Sequence, residues 1–169
     1  QVVPVLEELQ EKYPTYKIVL TFFSPSGYNI KKDTSLAAYV TYLPLDTKQN
    51  AKQFLKILKP KLAIFVKYEF WPNFLQELHK QKIYTVLVSG VFRLSQPFFK
   101  SYGKWMQKSL NAFNYFFLQN VESLKNLGQL GFTNAIVSGD TRFDRVSRQL
   151  NYDNSLKFIE DFKQDKLFK

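Results

Sequence analysis

Leu62-Ala-Ile-Phe-Val-Lys-Tyr-Glu-Phe-Trp-Pro-Asn73 decides how this chain is read. Leu62 to Val66 is a short apolar run of the kind that forms a buried strand, and Pro72 suits the first turn of a helix reading from Trp71 to Gln81. Glu69, Trp71 and Asn73 sit at the handover, where a strand delivers its polar end to a helix start. A strand feeding directly into an amphipathic helix is the repeating unit of an α/β fold.

The same alternation extends outward in both directions. Upstream, strands are expected over Tyr16 to Phe22 and Ala38 to Tyr42; downstream, over Tyr84 to Ser89, Tyr115 to Leu118 and Ala135 to Ser138. Helices are expected over Val2 to Glu11, in a short stretch after Gly27, and over Thr47 to Leu58, Pro97 to Leu110 and Val121 to Leu130. Thr47 is a capping residue for its helix, and Gly128 and Gly131 mark the stop of the last one. Strands joined by helical crossovers pair in parallel, which predicts a Rossmann-like, open, twisted sheet with helices on both faces.

The chain's 169 residues suit one domain, expected over 1–150. At 45% hydrophobic and 17% aromatic, the composition lies far from the disordered regime. The 151–169 segment differs: polar and alternating in charge, it carries Leu156, Phe158, Ile159, Phe162 and Leu167, and reads as a linker or helix towards a further domain. A parallel sheet of this type ordinarily opens on a strand, whereas a helical pattern begins within two residues of Gln1, so a first strand is expected upstream. With no cysteine and a single histidine, His79, neither a disulfide framework nor a histidine-rich metal site is expected, and no cofactor is implied. No apolar run approaches the roughly 20 residues of a membrane span.

A formal charge of +10 predicts an anionic partner. Between Glu77 and Glu122 there is no acid at all, while Lys80, Lys82, Arg93, Lys100, Lys104 and Lys108 share that interval with ten aromatic residues. The expected Pro97 to Leu110 helix carries its lysines on one face and Phe98, Tyr102, Trp105 and Met106 on the other. Such a helix can lie in a membrane interface, or serve as an ordinary crossover with its aromatics in the core.

Ligands of doubly wound sheets sit outside the carboxyl ends of the strands. Thr21 to Gly27 presents Ser24, Ser26 and Gly27 there, without the spacing of a P-loop; Tyr42 to Asp46 ends a strand at proline and reads as a turn in which Asp46 caps the helix from Thr47. Glu69 either accepts hydrogen bonds from sugar hydroxyls or sits at a helix start favoured by the dipole, and Trp71 either stacks on a sugar ring or fills the core. Arg93 and Ser95 follow the fourth strand, and a planar guanidinium holds phosphate or carboxylate. Gln119-Asn120 and Gly139 to Asp144 mark the last two strand ends; Arg142 and Asp144 either bind ligand or pair with each other near a hinge.

Taken in order, Thr21 to Gly27, Tyr42 to Asp46, the Glu-Phe-Trp-Pro-Asn of 69–73, Arg93-Leu-Ser95, Gln119-Asn120 and Gly139 to Asp144 resemble the amino-terminal domain of the bacterial 3-deoxy-D-manno-octulosonic acid (Kdo) transferases, from Gln1 to about Val146. The resemblance implies half of a GT-B glycosyltransferase that moves Kdo from CMP-Kdo to lipid A precursor with inversion and without a metal, at the cytoplasmic face of the inner membrane. It implies acceptor contacts from Ser24, Ser26, Gly27, Glu69, Trp71, Asn73, Arg93 and Ser95, a membrane-facing surface at Lys100, Lys104, Trp105 and Lys108, and a hinge at Gly139, Arg142 and Asp144. The family's catalytic base is a glutamate in a Gly-Glu pair after the first strand. Nothing here matches it, so no catalytic residue is expected in this sequence and the chain alone is expected to be inactive. Many members carry an acid where this chain has Lys67. The competing readings are a basic nucleotide- or nucleic-acid-binding module and a GT-B enzyme with another donor. The lack of RRM, KH or helix-turn-helix patterns, with polar motifs gathered at strand ends, speaks against a nucleic-acid partner.

Overall fold

The structure is a computed structural model that describes residues 3–140 and 143. The expectations for Arg142, Asp144 and the 151–169 segment lie outside the described residues. Elements follow in the order α1 (Val3–Lys12), β1 (Val19–Phe22), α2 (Pro25–Lys31), β2 (Tyr39–Tyr42), α3 (Lys48–Leu58), β3 (Leu62–Val66), α4 (Pro72–Lys80), β4 (Tyr84–Gly90), α5 (Lys104–Ser109), β5 (Tyr115–Leu118), α6 (Val121–Gln129) and β6 (Ala135–Val137). The expected α/β architecture is present, with every strand pairing in parallel.

The strands form two ladders rather than one continuous sheet: β1 pairs with β2, and β3-β4-β5-β6 pair in that order. Each of β1 and β3 uses one edge, and neither contributes a fully buried residue, whereas β4 buries Thr85, Val86, Leu87, Ser89 and Gly90. Side-chain contacts hold the two ladders together. Phe54 of α3 packs edge-on against Phe74 of α4 at 5.7 Å, Phe23 packs on Trp71 at 4.7 Å, and Asp46 hydrogen-bonds to the start of α4.

The main core lies around the four-stranded ladder and is built largely from phenylalanine. Phe92, Phe98, Phe113 and Phe116 are buried among Leu75, Leu87, Leu110, Leu118 and Leu127. The rings meet at 5.0 Å (Phe113 and Phe116) and 6.0 Å (Phe92 with both Phe98 and Phe116), tilted or edge-on, as the ring quadrupole favours. Each fully buried side chain of this size contributes about 1.5–3 kcal/mol.

The segment expected to be one helix, Pro97 to Leu110, is broken. Two 3-10 turns, Pro97–Phe99 and Ser101–Gly103, precede α5, a third, Leu110–Ala112, follows it, and Lys100 between the first two is extended (φ −102°, ψ 151°). The cause is a tight return at Gly103, where a Cβ would lie 1.7 Å from the Pro97 carbonyl oxygen. Phe98 is buried as expected, but Tyr102 and Trp105 are 71% and 57% exposed, on the outside with the lysines.

Candidate functional site

The carboxyl ends of the strands gather the motifs at one polar edge. After β1, Ser24 is the extended N-cap residue of α2, Pro25 opens the helix, and the Ser24 and Ser26 hydroxyls lie 3.2 Å apart. The helix therefore begins before Gly27 rather than after it. Gly27 sits against Phe22, whose ring carbon would lie 2.6 Å from a Cβ, so the glycine serves close packing of helix on strand.

After β2, Asp46 does something that short-range spacing does not show. Thr47 caps α3 by accepting from Asn50 N at 3.2 Å, which leaves the Asp46 carboxylate for α4: Oδ2 accepts from Asn73 N at 3.1 Å and Oδ1 from Phe74 N at 3.0 Å. Asn73 answers through Nδ2, which donates to the Asp46 backbone oxygen at 2.7 Å. The expected local cap at Asp46 is thus a long-range one, and the amide of Asn73 is engaged in holding it.

After β3, Trp71 Nε1 donates to Glu69 Oε2 at 2.8 Å while the indole packs on Phe23. Glu69 is exposed and Trp71 half-buried, so a carboxylate and an aromatic edge face outward together. Arg93, beyond β4, donates to the Tyr68 hydroxyl at 3.2 Å, and its guanidinium carbon lies 5.7 Å from the centre of that ring. Tyr68 therefore joins the two motifs.

The 91–96 loop is fixed from beneath. Gln96 accepts from Arg93 N at 2.8 Å and donates to the Val91 oxygen at 3.3 Å. Ser123 Oγ accepts from Phe92 N at 3.1 Å and Asn126 Nδ2 donates to the Phe92 oxygen at 2.9 Å. Ser123 and Asn126 are both buried, and sequence reasoning missed them; the available signal was two polar residues three apart on the inward face of an amphipathic helix. A pocket of about 360 Å³ opens here, lined by Arg93, Ser95, Gln119, Asn120 and Glu122 among others. A larger groove of about 410 Å³, rimmed by Lys52, Lys56, Lys59 and Lys61, lies at the other end of the strands, away from every motif above.

Ser24, Glu69, Trp71, Asn73, Arg93 and Ser95 all follow strand carboxyl ends, and Phe23, Asp46 and Tyr68 tie their loops together. Lys100, Lys104, Trp105 and Lys108 are exposed on the segment after the Arg93 loop, with Lys104 and Lys108 one helical turn apart. Gly139 follows β6 in the left-handed region, φ 83°. Among the described residues no group of three or more histidines or acids is arranged to hold a metal ion, and no helix is long and apolar enough to cross a membrane.

Fold and edge together define a class, the Rossmann-like half of a GT-B fold. A crystal structure described as a UDP-N-acetylglucosamine 2-epimerase from Listeria monocytogenes superposes with a TM-score of 0.65, at 13% identity, over 95% of this chain and 47% of that one, which shows the fold. The family is narrower. Residues 1–145 match the model of the 3-deoxy-D-manno-octulosonic-acid transferases (kdotransferases), and the chain belongs to that family. It is 30% identical to the 3-deoxy-D-manno-octulosonic acid transferase of Haemophilus influenzae, over 83% of this chain and 34% of the relative. The transferase of the same name from Rickettsia bellii is 27% identical, over 94% and 38%. A bifunctional glycosyltransferase/methyltransferase of Fusobacterium nucleatum is 26% identical, over 74% and 21%. The chain thus spans about a third of the length of the Haemophilus influenzae and Rickettsia bellii transferases.

Proposed function

We propose that this chain is the acceptor-binding half of an inverting transferase that moves Kdo from CMP-Kdo to lipid A precursor. The observation that carries the reading is the meeting of Glu69, Trp71 and Arg93 at one strand edge, joined through Tyr68, within a stretch matched by the family from residue 1 to 145. A carboxylate beside an indole suits the hydroxyls and apolar face of a sugar ring, and a guanidinium suits its phosphate. Ser24, Ser26, Asn73 and Ser95 complete the polar lining, with Gly27 holding the first loop close to its strand. The chain spans about a third of these transferases, and the reading gives it acceptor binding, with no residue of it assigned to proton abstraction or to the donor.

The reading also accounts for the divided sheet. One further parallel strand between β1 and β3 would use the free edge of each and restore the strand order of a Rossmann half, with its topological switch at the Phe23–Trp71 contact. Lys100, Lys104, Trp105 and Lys108 would then meet anionic lipid at the cytoplasmic face of the inner membrane, each cation contributing about 1 kcal/mol near such a surface.

The test is transfer to lipid A precursor by the longer enzyme. Glu69→Gln and Arg93→Ala are each expected to lower kcat/KM by about 10–100-fold, as the loss of a charged contact worth about 1.5–3 kcal/mol implies. Normal turnover by both variants, with wild-type melting temperatures, would refute the assignment.

A further inference from the structure

Four non-glycine residues among those described have positive φ. Lys59 is the C-cap of α3 and Lys82 follows the end of α4, which are ordinary places for left-handed backbone. The other two, Lys67 (φ 58°) and Ser89 (φ 53°), stand at the ends of neighbouring strands. Because Val66 pairs with Val88, they lie side by side on the polar edge. Non-glycine residues held in this region accumulate where the surrounding structure over-determines them for a purpose.

What holds Lys67 is visible. Its backbone N–H donates to the Val88 oxygen at 3.0 Å, and its Nζ lies 3.4 Å from Asp140 Oδ2, with the two side chains only 13% and 5% exposed. Lys67 follows β3 and Asp140 follows β6, the two outer strands of the four-stranded ladder, so the pair reaches across the ends of β4 and β5. On one side Lys67 begins the turn that presents Glu69 and Trp71, closed by Glu69 N donating to the Val66 oxygen at 3.3 Å. On the other, Asp140 lies where the chain leaves the sheet. Ser138 and Gly139 both donate to the Leu118 oxygen, at 2.8 and 3.2 Å, and Phe143 N donates to the Asp140 oxygen at 2.9 Å.

A largely buried ion pair is a poor way to gain stability, since apolar residues of similar volume often do as well, and in some proteins such pairs serve instead to fix geometry. We infer that Lys67 is a positioning residue, whose pairing with Asp140 sets the direction in which the chain leaves β6 relative to the Glu69–Trp71 turn. The inference rests on the transferase reading, in which the chain beyond Asp140 leads to the donor-binding half. Lys67 then governs how the two halves meet without touching the acceptor.

Two measurements test it. In the 169-residue chain, without any substrate, Lys67→Met and Asp140→Asn should each speed amide exchange of Gly139 about tenfold or more, while Lys67→Arg leaves it near wild type. In the longer enzyme the same two variants should lower kcat about tenfold with KM for acceptor within about twofold, and the double variant should lose no more than either alone. Unchanged exchange overturns the tie. Faster exchange with unchanged kcat overturns its role, and a raised KM at normal kcat makes Lys67 an acceptor contact instead. An inactive wild-type enzyme counts against the transferase reading itself, while the exchange comparison still decides whether the tie exists.

Discussion

Removing the Asp46 carboxylate should loosen a helix whose first residue is 26 positions away. Asp46→Ala deletes two backbone acceptors at the start of α4, Oδ2 for Asn73 N and Oδ1 for Phe74 N. Loss of an N-cap costs about 0.5–2 kcal/mol, and the negative charge adds about 0.3–1 kcal/mol through the helix dipole, giving about 1–3 kcal/mol, towards the upper end at this half-buried site where two backbone donors lose their acceptor. The Asn73 Nδ2 bond to the Asp46 backbone oxygen survives, which limits the loss. Asp46→Asn keeps one acceptor and should cost about 1 kcal/mol; Thr47→Ala, which removes the single Asn50 cap of α3, should also cost about 1 kcal/mol. Urea unfolding followed by circular dichroism measures all three, and the alanine variant should melt about 5–10 °C below wild type. Trp71 adjoins this helix start and packs on Phe23, so its fluorescence should shift in Asp46→Ala before global unfolding. An Asp46→Ala variant as stable as wild type, or no more affected than Thr47→Ala, would refute the long-range cap.

Gly103→Ala should destabilise by about 1–3 kcal/mol, because the new Cβ meets the Pro97 backbone rather than a yielding side chain; thermal melting checks it, and no change would deny the tight return. Reversing Lys100, Lys104 and Lys108 to glutamate in the longer enzyme should weaken sedimentation with anionic vesicles at least tenfold and leave binding to neutral ones unaltered. The 169-residue chain should not retain single-stranded RNA on a filter at physiological salt, and tight retention would favour the nucleic-acid reading set aside above.

The strands and most helices were legible because their apolar periodicity is local: β3 and β5 have the bounds expected from sequence, and α3, α4 and α6 fall within a residue of theirs. Long-range relations were not. Asp46 beside Thr47 reads as a cap for the nearer helix, yet Thr47 takes that place and the carboxylate turns to a helix that sequence spacing cannot connect to it. The Pro97 to Leu110 stretch has helical periodicity in its lysines and aromatics, but a backbone contact between Gly103 and Pro97 overrides it. At the polar edge the sequence reading singled out Glu69, Trp71 and Arg93 by type and position. Tyr68, which joins them, and Ser123 and Asn126, which fix the loop beneath, act through partners 25 to 34 residues away.

The singly paired edges of β1 and β3 have a practical consequence for anyone producing this chain by itself. Among the described residues, no strand pairs with the outer edge of Val19 to Phe22 or of Leu62 to Val66, and each edge is flanked by apolar, partly uncovered side chains, a ready template for a strand from a neighbouring molecule. Expressed at high concentration, the polypeptide is expected to self-associate through these edges, and a lysine or proline placed at one of them should keep it monodisperse.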